Sequence, residues 1–325
     1  MKALVFEEPR RAVVSDLDVP KIAADEVLVR SKNVGICHSD FELYEGRYII
    51  PVAYPIIPGH EWSGEVAEVG AAVASLRPGD RVVGECVVNN GDDHFGFSIS
   101  GANAEYFVAK AGWLHRIPDE LTFAQGAFVE PFSVAYSATV AAGGIDASDE
   151  VAVIGGGPIG LLCAMCAATM GGKVTLIEPQ AHRRELGLRI GAAGTIDPSA
   201  GDVVEQAKEA TKGRGFDVVI EAAGVPAAMA NAFPIAGLNG RVVLVGIDIG
   251  GSTNVQIGLV QSKALQVRGI IGSAGLWPRT IRFMATSGVD TSPLLTASFP
   301  LADAAAALDA ARDTSRNVKV QIACG

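Results

Sequence analysis

Two patterns of hydrophobic and polar positions follow one another along the chain. Up to residue 138, short runs rich in β-branched residues alternate with turns that contain Pro, Gly and Asp; examples are KALVF, EVLVRSKNVGI, SGEVAEVG and DRVVGECVV. This pattern is typical of strands in a β-rich domain. From residue 139, strand-like runs such as VAVIG, KVTLIE and DVVIEAAG alternate with helical runs such as IGLLCAMCAATM and HRRELGLRIG. Strands that alternate with helices predict βαβ units on a doubly wound parallel sheet.

The end of the chain departs from the alternating pattern. An alanine-rich run, LADAAAALDAARD, predicts a helix, and NVKVQIA predicts a final strand that returns to the β-rich part. We therefore expect an α/β protein with two domains. Residues 1–138 and 273–325 form the β-rich domain, and residues 139–272 form an inserted dinucleotide-binding domain.

Composition argues against several classes of partner. The 325 residues are 49% hydrophobic and 19% charged, with a net charge of −10, whereas a nucleic-acid surface needs clustered Lys and Arg. The longest apolar stretch, 151–170, is interrupted by glycines and a proline, so we expect no membrane span. Five scattered cysteines do not form a disulfide framework. Together with an N-terminus that lacks the apolar core of a signal peptide, these features predict a cytoplasmic protein.

A glycine pattern follows the VAVIG run directly. Gly155, Gly157 and Gly160 satisfy G-x-G-x-x-G at the start of a predicted helix, with Pro158 and Ile159 between the last two glycines. Glycines at these positions allow a tight turn and a close approach of the backbone to a pyrophosphate, whose charge lies at the helix N-terminus. We predict that these five residues bind a dinucleotide.

The next predicted strand ends in an acidic residue, Glu178, which lies 18 residues after Gly160. A carboxylate at this position hydrogen-bonds the ribose 2′-hydroxyl of NAD and repels the 2′-phosphate of NADP. Arg183 is a candidate to stack on the adenine, although Arg183 or Arg184 can instead accommodate a 2′-phosphate. NAD is therefore the predicted cofactor, and NADP is the alternative.

Four residues ahead of the glycine pattern carry metal-binding chemistry. VGICHSD contains Cys37, PGHEWSG contains His60 and Glu61, and VEPFS contains Glu130. A thiolate, an imidazole and a carboxylate suit Zn²⁺ in a catalytic site, where three protein ligands leave one position open. Each residue alone has a structural explanation. Together, ahead of a nucleotide fingerprint, they predict a zinc ion that polarises an alcohol or carbonyl oxygen beside a nicotinamide.

These residues belong to a longer ordered set: GICHSD, PGHEWSGEVAEVG, RPGDRVV, AEYFVA, FVEPFSVAYSA and GGGPIG. In this order they resemble the zinc-dependent medium-chain dehydrogenase/reductase family over nearly the whole chain, and its polyol dehydrogenases in particular. The resemblance implies a GroES-like catalytic domain and a Rossmann domain, with Cys37 and His60 as zinc ligands. It also implies that Glu61 ligates zinc or lies directly behind it, and that Glu130 replaces a cysteine of the simple alcohol dehydrogenases.

The resemblance further implies a proton path. Ser39 matches the hydroxyl residue that accepts the substrate proton, and Asp40 matches a carboxylate that orients the site. Many relatives have a histidine two residues after this aspartate, where the present chain has Glu42. Either Glu42 acts as a base or the proton leaves through water. Ser39, Asp40, Glu42 and Glu61 are therefore the candidate catalytic residues.

Many members of the family also carry a structural zinc held by four closely spaced cysteines. The matching region of this chain, 84–107, contains only Cys86, so we expect one catalytic zinc per subunit and no structural zinc. Candidate residues of the substrate pocket, chosen by chain position, are Tyr44, Arg47, Tyr48, Phe95 and Trp277.

The predicted function is NAD-dependent oxidation of a secondary alcohol, in a polyol, sugar alcohol or vicinal diol, to a ketone. Two alternatives remain. A zinc-free NADPH quinone or enoyl reductase should lack Cys37, His60 and Glu130, and a non-catalytic NAD-binding relative would not need them. Because relatives assemble through their nucleotide domains, the resemblance implies a homodimer or homotetramer.

Overall fold

The computed structural model describes residues 1–247, 250–273 and 275–325. The strands are β1 (Lys2–Glu8), β2 (Arg11–Asp16), β3 (Glu26–Gly35), β4 (Glu61–Val69), β5 (Arg81–Gly84), β6 (Val87–Val88), β7 (Asp93–His94), β8 (Tyr106–Lys110), β9 (Leu114–Arg116), β10 (Glu150–Ile154), β11 (Lys173–Ile177), β12 (Gly194–Ile196), β13 (Phe216–Glu221), β14 (Ala236–Leu244), β15 (Gln266–Gly269), β16 (Leu295–Pro300) and β17 (Lys319–Ala323). The helices are α1 (His38–Tyr44), α2 (Phe123–Gly126), α3 (Val129–Ala141), α4 (Pro158–Thr169), α5 (Ala181–Arg189), α6 (Val203–Ala210), α7 (Pro226–Ile235), α8 (Gly258–Ser262), α9 (Trp277–Thr286) and α10 (Ala304–Arg312).

The chain divides into two compact units. The first consists of Met1–Glu130, Trp277–Ala285 and Leu295–Gly325, and the second of Pro131–Leu276 and Thr286–Leu294. The second unit is therefore inserted into the sequence of the first. Within the described ranges, none of the helices is long and apolar enough to cross a membrane.

Strand β3 organises the first unit. It pairs antiparallel with β4, β8 and β17 within a seven-stranded sheet whose main order is β16-β17-β3-β4-β5-β9. In this register Gly35, the last residue of β3, lies opposite Glu61 of β4 and Gln321 of β17. The end of β3 therefore lies beside the start of β4 and beside the last strand of the chain, and this is where three of the four predicted metal ligands meet.

An aromatic cluster fills the core of the first unit near β4. The ring centroid of Trp62 lies 4.7 Å from that of Phe107 in an edge-to-face arrangement, and Phe95 lies 5.4 Å from Phe107. All three side chains are buried, and burying a side chain of this size stabilises a fold by roughly 2–3 kcal/mol. Phe95, a candidate pocket residue by chain position, packs in this core.

The six strands described in the second unit are all parallel, in the order β12-β11-β10-β13-β14-β15. The chain runs outward in one direction from β10 and in the other from β13, so the switch point at which such sheets bind ligands lies between these two strands. This order confirms the predicted doubly wound α/β sheet. At the end of β10, Gly155 has a φ of +102°, and a Cβ on Gly160 would lie 1.9 Å from the Gly155 carbonyl oxygen. Only glycine lets α4 begin so close to the strand.

Candidate metal centre and nucleotide site

Three of the four predicted metal ligands lie together in the first unit. Cys37 follows β3 as the N-cap of α1, whereas His60 directly precedes β4 and Glu61 begins it. The pairing of Gly35 with Glu61 brings these two chain segments side by side. One potential ligand atom from each of Cys37, His60 and Glu61 lies within 4.8 Å of the other two. A thiol, an imidazole and a carboxylate at this spacing fit a zinc ion.

Asp40 lies behind this group and is almost fully buried. Its Oδ2 accepts a hydrogen bond of 2.8 Å from the Cys37 backbone N–H, and its Oδ1 lies 3.6 Å from His60 Nδ1. Within the described ranges, neither Oδ1 nor Nδ1 has a hydrogen-bond partner, although both atoms are buried. A small movement would pair them, as expected for a carboxylate that holds a ligand histidine with its Nε2 toward a metal.

The electrostatics of His60 agree with this arrangement. Burial lowers the pKa of the imidazole, but the Asp40 carboxylate and then the Cys37 sulfur act more strongly and raise the pKa well above the ordinary value of 6.5. The side chains are arranged to stabilise positive charge at the imidazole.

Lys319 is a member of the site that sequence reasoning missed. It begins β17 and is only 3% exposed, and its Nζ donates to Glu61 Oε1 at 2.8 Å and Oε2 at 2.6 Å and to the Ile36 carbonyl at 3.2 Å. Burial opposes the ammonium charge, but Glu61 and then Cys37 raise the pKa of Lys319 above its usual value. The available signal was a lysine inside the strand-like run VKVQIA, since a buried cation requires a counter-charge.

Gly35 makes room for the Glu61 carboxylate. A Cβ added to Gly35 would lie 2.2 Å from Glu61 Oε2, which is far closer than two such atoms can approach. The glycine of the VGICHSD motif therefore has a steric role beside the ligand residues. Any larger side chain at position 35 would displace Glu61, Lys319 or both.

Glu130, the fourth predicted ligand, lies in the first turn of α3. Its carboxyl does not belong to the group of atoms within 4.8 Å, but it is close enough to interact electrostatically with His60, Glu61 and Lys319. Burial raises the pKa of Glu130 to about 7. A carboxyl group with this environment gains stabilisation when a cation binds nearby.

The predicted proton-path residues lie on α1. Ser39 is half-buried in the first turn of the helix, two residues after Cys37. One turn further, Glu42 Oε1 lies 3.3 Å from Arg47 Nη2 and 3.6 Å from His38 Nε2. His38 and Arg47 are largely exposed, so Glu42 marks the side of the helix that meets solvent.

Tyr48 and Phe97 form an aromatic stack against His60. The rings of Tyr48 and Phe97 are nearly parallel, at 10°, with centroids 4.4 Å apart, and the Phe97 centroid lies 4.6 Å from that of His60. Burial and next the Cys86 thiol raise the pKa of Tyr48 to about 12. Phe97 and Cys86 were not among the predicted site residues. Of the pocket candidates, Tyr44 packs on Phe6 and Trp277 on His115.

In the second unit, Glu178 supports the glycine-rich turn. Its Oε2 accepts a hydrogen bond of 2.6 Å from the Gly156 N–H, and its Oε1 accepts one of 2.8 Å from the Gln180 N–H. Gly157 is the N-cap of α4, with Pro158 in the first helical turn, and a Cβ on Gly157 would meet none of the described atoms within 4 Å. Glu178 thus fixes the turn at Gly156, while the space around Gly157 is open, as phosphate binding at a helix N-terminus requires.

The two arginines after β11 are held in place. The Arg184 guanidinium donates to the carbonyl oxygens of Glu178 and Pro179 at 2.7 and 2.6 Å and pairs with Asp197 at 2.9 Å. Arg183 is buried, and this burial lowers its pKa although the Glu178 charge opposes the effect. Neither side chain projects freely from the end of the strand.

Comparison with known proteins covers both units. Residues 23–119 match the family described as alcohol dehydrogenase GroES-like domain, and residues 158–286 match the family described as zinc-binding dehydrogenase. The chain is 32% identical to sorbitol dehydrogenase of Bacillus subtilis (strain 168) over 322 residues, which cover 93% of this chain and 90% of the relative.

Two solved structures are similar over almost their full length. One is 2R,3R-butanediol dehydrogenase from Bacillus subtilis, with a TM-score of 0.93, 30% identity and coverage of 100% of this chain and 99% of that one. The other, from Sinorhizobium meliloti 1021, is described as a zinc-binding dehydrogenase bound to NADP; it has a TM-score of 0.89, 30% identity and 99% coverage of both chains. The GroES-like and dinucleotide-binding folds implied by the sequence motifs are thereby confirmed.

Proposed function

The chain belongs to the zinc-dependent medium-chain dehydrogenase/reductase family, and on this premise we propose that it oxidises a secondary alcohol of a polyol, sugar alcohol or vicinal diol to a ketone, with NAD as hydride acceptor. The observation that carries the proposal is the convergence of Cys37, His60 and Glu61 within 4.8 Å at the end of β3. This group is of the catalytic type, because a single thiol with an imidazole and carboxylates differs from the closed thiolate cages of structural zinc.

One zinc ion per subunit would be held by Cys37, by His60 and by a carboxylate. When bound, zinc supplies a Lewis acid that lowers the pKa of a substrate hydroxyl. Both oxygens of Glu61 already accept hydrogen bonds from Lys319, which supports Glu130 as the third ligand and Glu61 as the charge behind the metal. Asp40 orients the His60 ring.

Ser39 would receive the substrate proton at its Oγ, since it follows Cys37 by two residues on the same helix. Glu42 lies one turn further along α1, and its Oε1 contacts Arg47. We propose that the proton passes from Ser39 to solvent beside Glu42. A hydroxyl relay of this kind needs no buried base with an unusual pKa.

The proposal is tested with purified, zinc-reconstituted protein in a screen of vicinal diols, sugar alcohols, sugar acids and amino alcohols with NAD and with NADP. Formation of ketone and reduced cofactor with a diol or polyol, lost on chelation and restored by zinc, supports it. Reduction of quinones or enoyl compounds that survives complete removal of zinc would instead support the zinc-free reductase. A protein that binds NADH but turns over none of these substrates would support the non-catalytic alternative.

We predict a preference for NAD of about 10²-fold in kcat/KM, because a 2′-phosphate beside the Glu178 carboxylate brings like charges together. Arg184 is held by Asp197 and by two carbonyl groups and does not offer a free counter-charge. Glu178→Ala should reduce the preference to roughly tenfold or less. Steady-state kinetics with both cofactors measure the ratio. Glu185→Ala, which removes an exposed carboxylate on the following helix, should leave it unchanged; a ratio unaffected by Glu178→Ala would assign the selection to other residues.

We also predict that the zinc affinity of the metal-free protein rises with pH between about pH 6 and about pH 8. The pKa of about 7 for Glu130 means that this carboxyl is about half protonated at neutral pH, and the raised pKa of His60 favours its protonated form. These protons compete with zinc until rising pH removes them. Competition with a chelator dye at several pH values measures this dependence. Glu130→Gln should weaken zinc binding by at least tenfold and flatten the pH dependence. If Glu61→Gln does so instead, Glu61 is the third ligand.

A homodimer or homotetramer is supported by the open edge of the parallel sheet. Strand β15 pairs only with β14 among the described strands, and all four of its residues are exposed. Val267 on this strand, Ile271 just after it and Leu238 on the neighbouring strand β14 are apolar and largely or partly exposed. An unpaired, partly apolar edge favours pairing with a second copy, which analytical ultracentrifugation measures.

A reducing compartment such as the cytoplasm is supported by the cysteines. All five are free thiols. Burial raises the pKa of Cys163 well above its usual value, with a further contribution from Cys166, so this CxxC pair lies in the core as inert thiols. A redox role for the pair is therefore not proposed.

A further inference from the structure

Tyr48 differs from other tyrosines of the chain in what its hydroxyl does. The Tyr44 hydroxyl donates to the Arg10 carbonyl at 2.6 Å, the Tyr54 hydroxyl donates to the Leu43 carbonyl, and the Tyr106 hydroxyl accepts from Arg30 Nε at 3.1 Å. The Tyr48 hydroxyl has no hydrogen-bond partner within the part of the chain that the structure describes. A half-buried tyrosine normally directs its hydroxyl to a polar partner, so the partner of Tyr48 is water or a ligand.

The Tyr48 ring is held in a fixed orientation. It lies parallel to the Phe97 ring at a centroid distance of 4.4 Å, and Phe97 in turn lies 4.6 Å from the His60 ring. Phe97 is only 2% exposed and cannot rotate away from either neighbour without opening the core. Two successive ring contacts therefore connect the hydroxyl-bearing ring to a ligand of the candidate metal centre.

The surroundings of Tyr48 belong to the same centre. After burial, the groups that influence its pKa are Cys86, His60, Cys37 and Asp40, which are the residues around the candidate metal. With a pKa of about 12, the hydroxyl keeps its proton at neutral pH. Tyr48 thus presents a neutral donor and acceptor, on a rigid ring, beside the position at which a substrate oxygen would be activated.

We propose that the Tyr48 hydroxyl hydrogen-bonds a second hydroxyl group of the substrate, and that the site thereby selects diols and polyols over simple secondary alcohols. The inference rests on the proposed function and narrows its substrate class. A site built to hydrogen-bond a hydroxyl discriminates against an analogue that lacks one, because the polar group of the protein then loses its partner. A simple alcohol would leave the Tyr48 hydroxyl facing an apolar carbon.

The test compares 2,3-butanediol with 2-butanol, two substrates with the same carbon skeleton, as the ratio of their kcat/KM values. Wild-type protein should prefer the diol, and Tyr48→Phe should reduce that preference by roughly tenfold through loss of kcat/KM for the diol alone. Because both substrates are measured on one preparation, the ratio does not depend on the fraction of folded or zinc-loaded protein. As a second readout, the diol should raise the Tm of the enzyme–NADH complex less in Tyr48→Phe than in wild type.

Tyr106→Phe is the matched control, since it deletes a tyrosine hydroxyl that accepts from Arg30 Nε and does not belong to the candidate pocket. It should leave the preference unchanged. An equal loss for both substrates in Tyr48→Phe, or an unchanged ratio, overturns the proposal and makes Tyr48 a packing residue with a hydrated hydroxyl. If wild-type protein oxidises no secondary alcohol with either cofactor, the proposed function itself fails; an active enzyme whose preference survives Tyr48→Phe rejects only the role of Tyr48.

Discussion

Replacing Cys37 by serine is expected to remove the bound zinc and to lower kcat/KM for alcohol oxidation by at least about 10³-fold. Cys37 supplies the only thiol in the group of three candidate ligands found among the described residues. A serine hydroxyl is not deprotonated at neutral pH and is a poor ligand for Zn²⁺. The variant should keep its fold, because the Asp40 carboxylate accepts from the backbone N–H of residue 37 rather than from its side chain.

Cys86→Ser provides the matched control for this experiment. Cys86 lies close enough to Cys37 and His60 for both to influence it electrostatically, but burial raises its pKa to about 12 and its Sγ donates to the Phe95 carbonyl at 3.7 Å. Metal analysis should show one zinc per subunit in wild type and in Cys86→Ser, and less than about a tenth of that in Cys37→Ser. Full zinc content in Cys37→Ser would exclude Cys37 as a ligand, and loss of zinc in Cys86→Ser would indicate that Cys86 is a ligand instead.

The sequence was sufficient to predict that Cys37, His60 and Glu61 lie together, because they are close to strand ends that pair with each other. Cys37 follows β3, and His60 and Glu61 flank the start of β4, so one antiparallel pairing brings them together. The turn after β10 was equally predictable, since its glycines are required by local geometry at Gly155 and Gly160. In both cases the chemistry lies within a few residues of a recognisable motif.

The rest of the site depends on contacts that no local pattern contains. Lys319 is separated from Glu61 by 258 positions, and only the β17–β3 pairing brings it there. Phe97 lies in a segment without a recognised motif and reaches His60 through the fold of the 86–99 region. Glu178 was predicted as a ribose ligand, but its hydrogen bond to the Gly156 N–H depends on side-chain placement. Sequence motifs identified the candidate ligand and cofactor-binding residues, and tertiary pairing determined the side chains that contact them.

Lys319→Met is expected to destabilise the protein strongly, because it leaves the Glu61 carboxylate buried without its cation. Lys319 and Glu61 are only 3% and 1% exposed, and Nζ lies 2.8 and 2.6 Å from the two carboxylate oxygens. Removing one partner of a buried ion pair costs about 3–5 kcal/mol, because the remaining charge loses its compensation in a medium of low polarity. We expect this loss in the free energy of unfolding of the metal-free protein, measured by urea denaturation at pH 7.

Two further variants distinguish the stability lost through an unpaired buried charge from the stability lost through missing contacts. Lys173→Met removes the lysine of the Lys173–Glu150 pair, which has a similar distance of 3.0 Å but an exposed lysine, and should cost no more than about 1 kcal/mol.

Adding Glu61→Gln to Lys319→Met neutralises the unpaired carboxylate and should restore at least half of the lost stability, since the penalty arises from an unpaired charge. If the double variant is as unstable as Lys319→Met alone, the lysine stabilises the end of β3 mainly through its bond to the Ile36 carbonyl. Zinc should stabilise Lys319→Met more than wild type, because a divalent cation beside Glu61 replaces part of the missing positive charge.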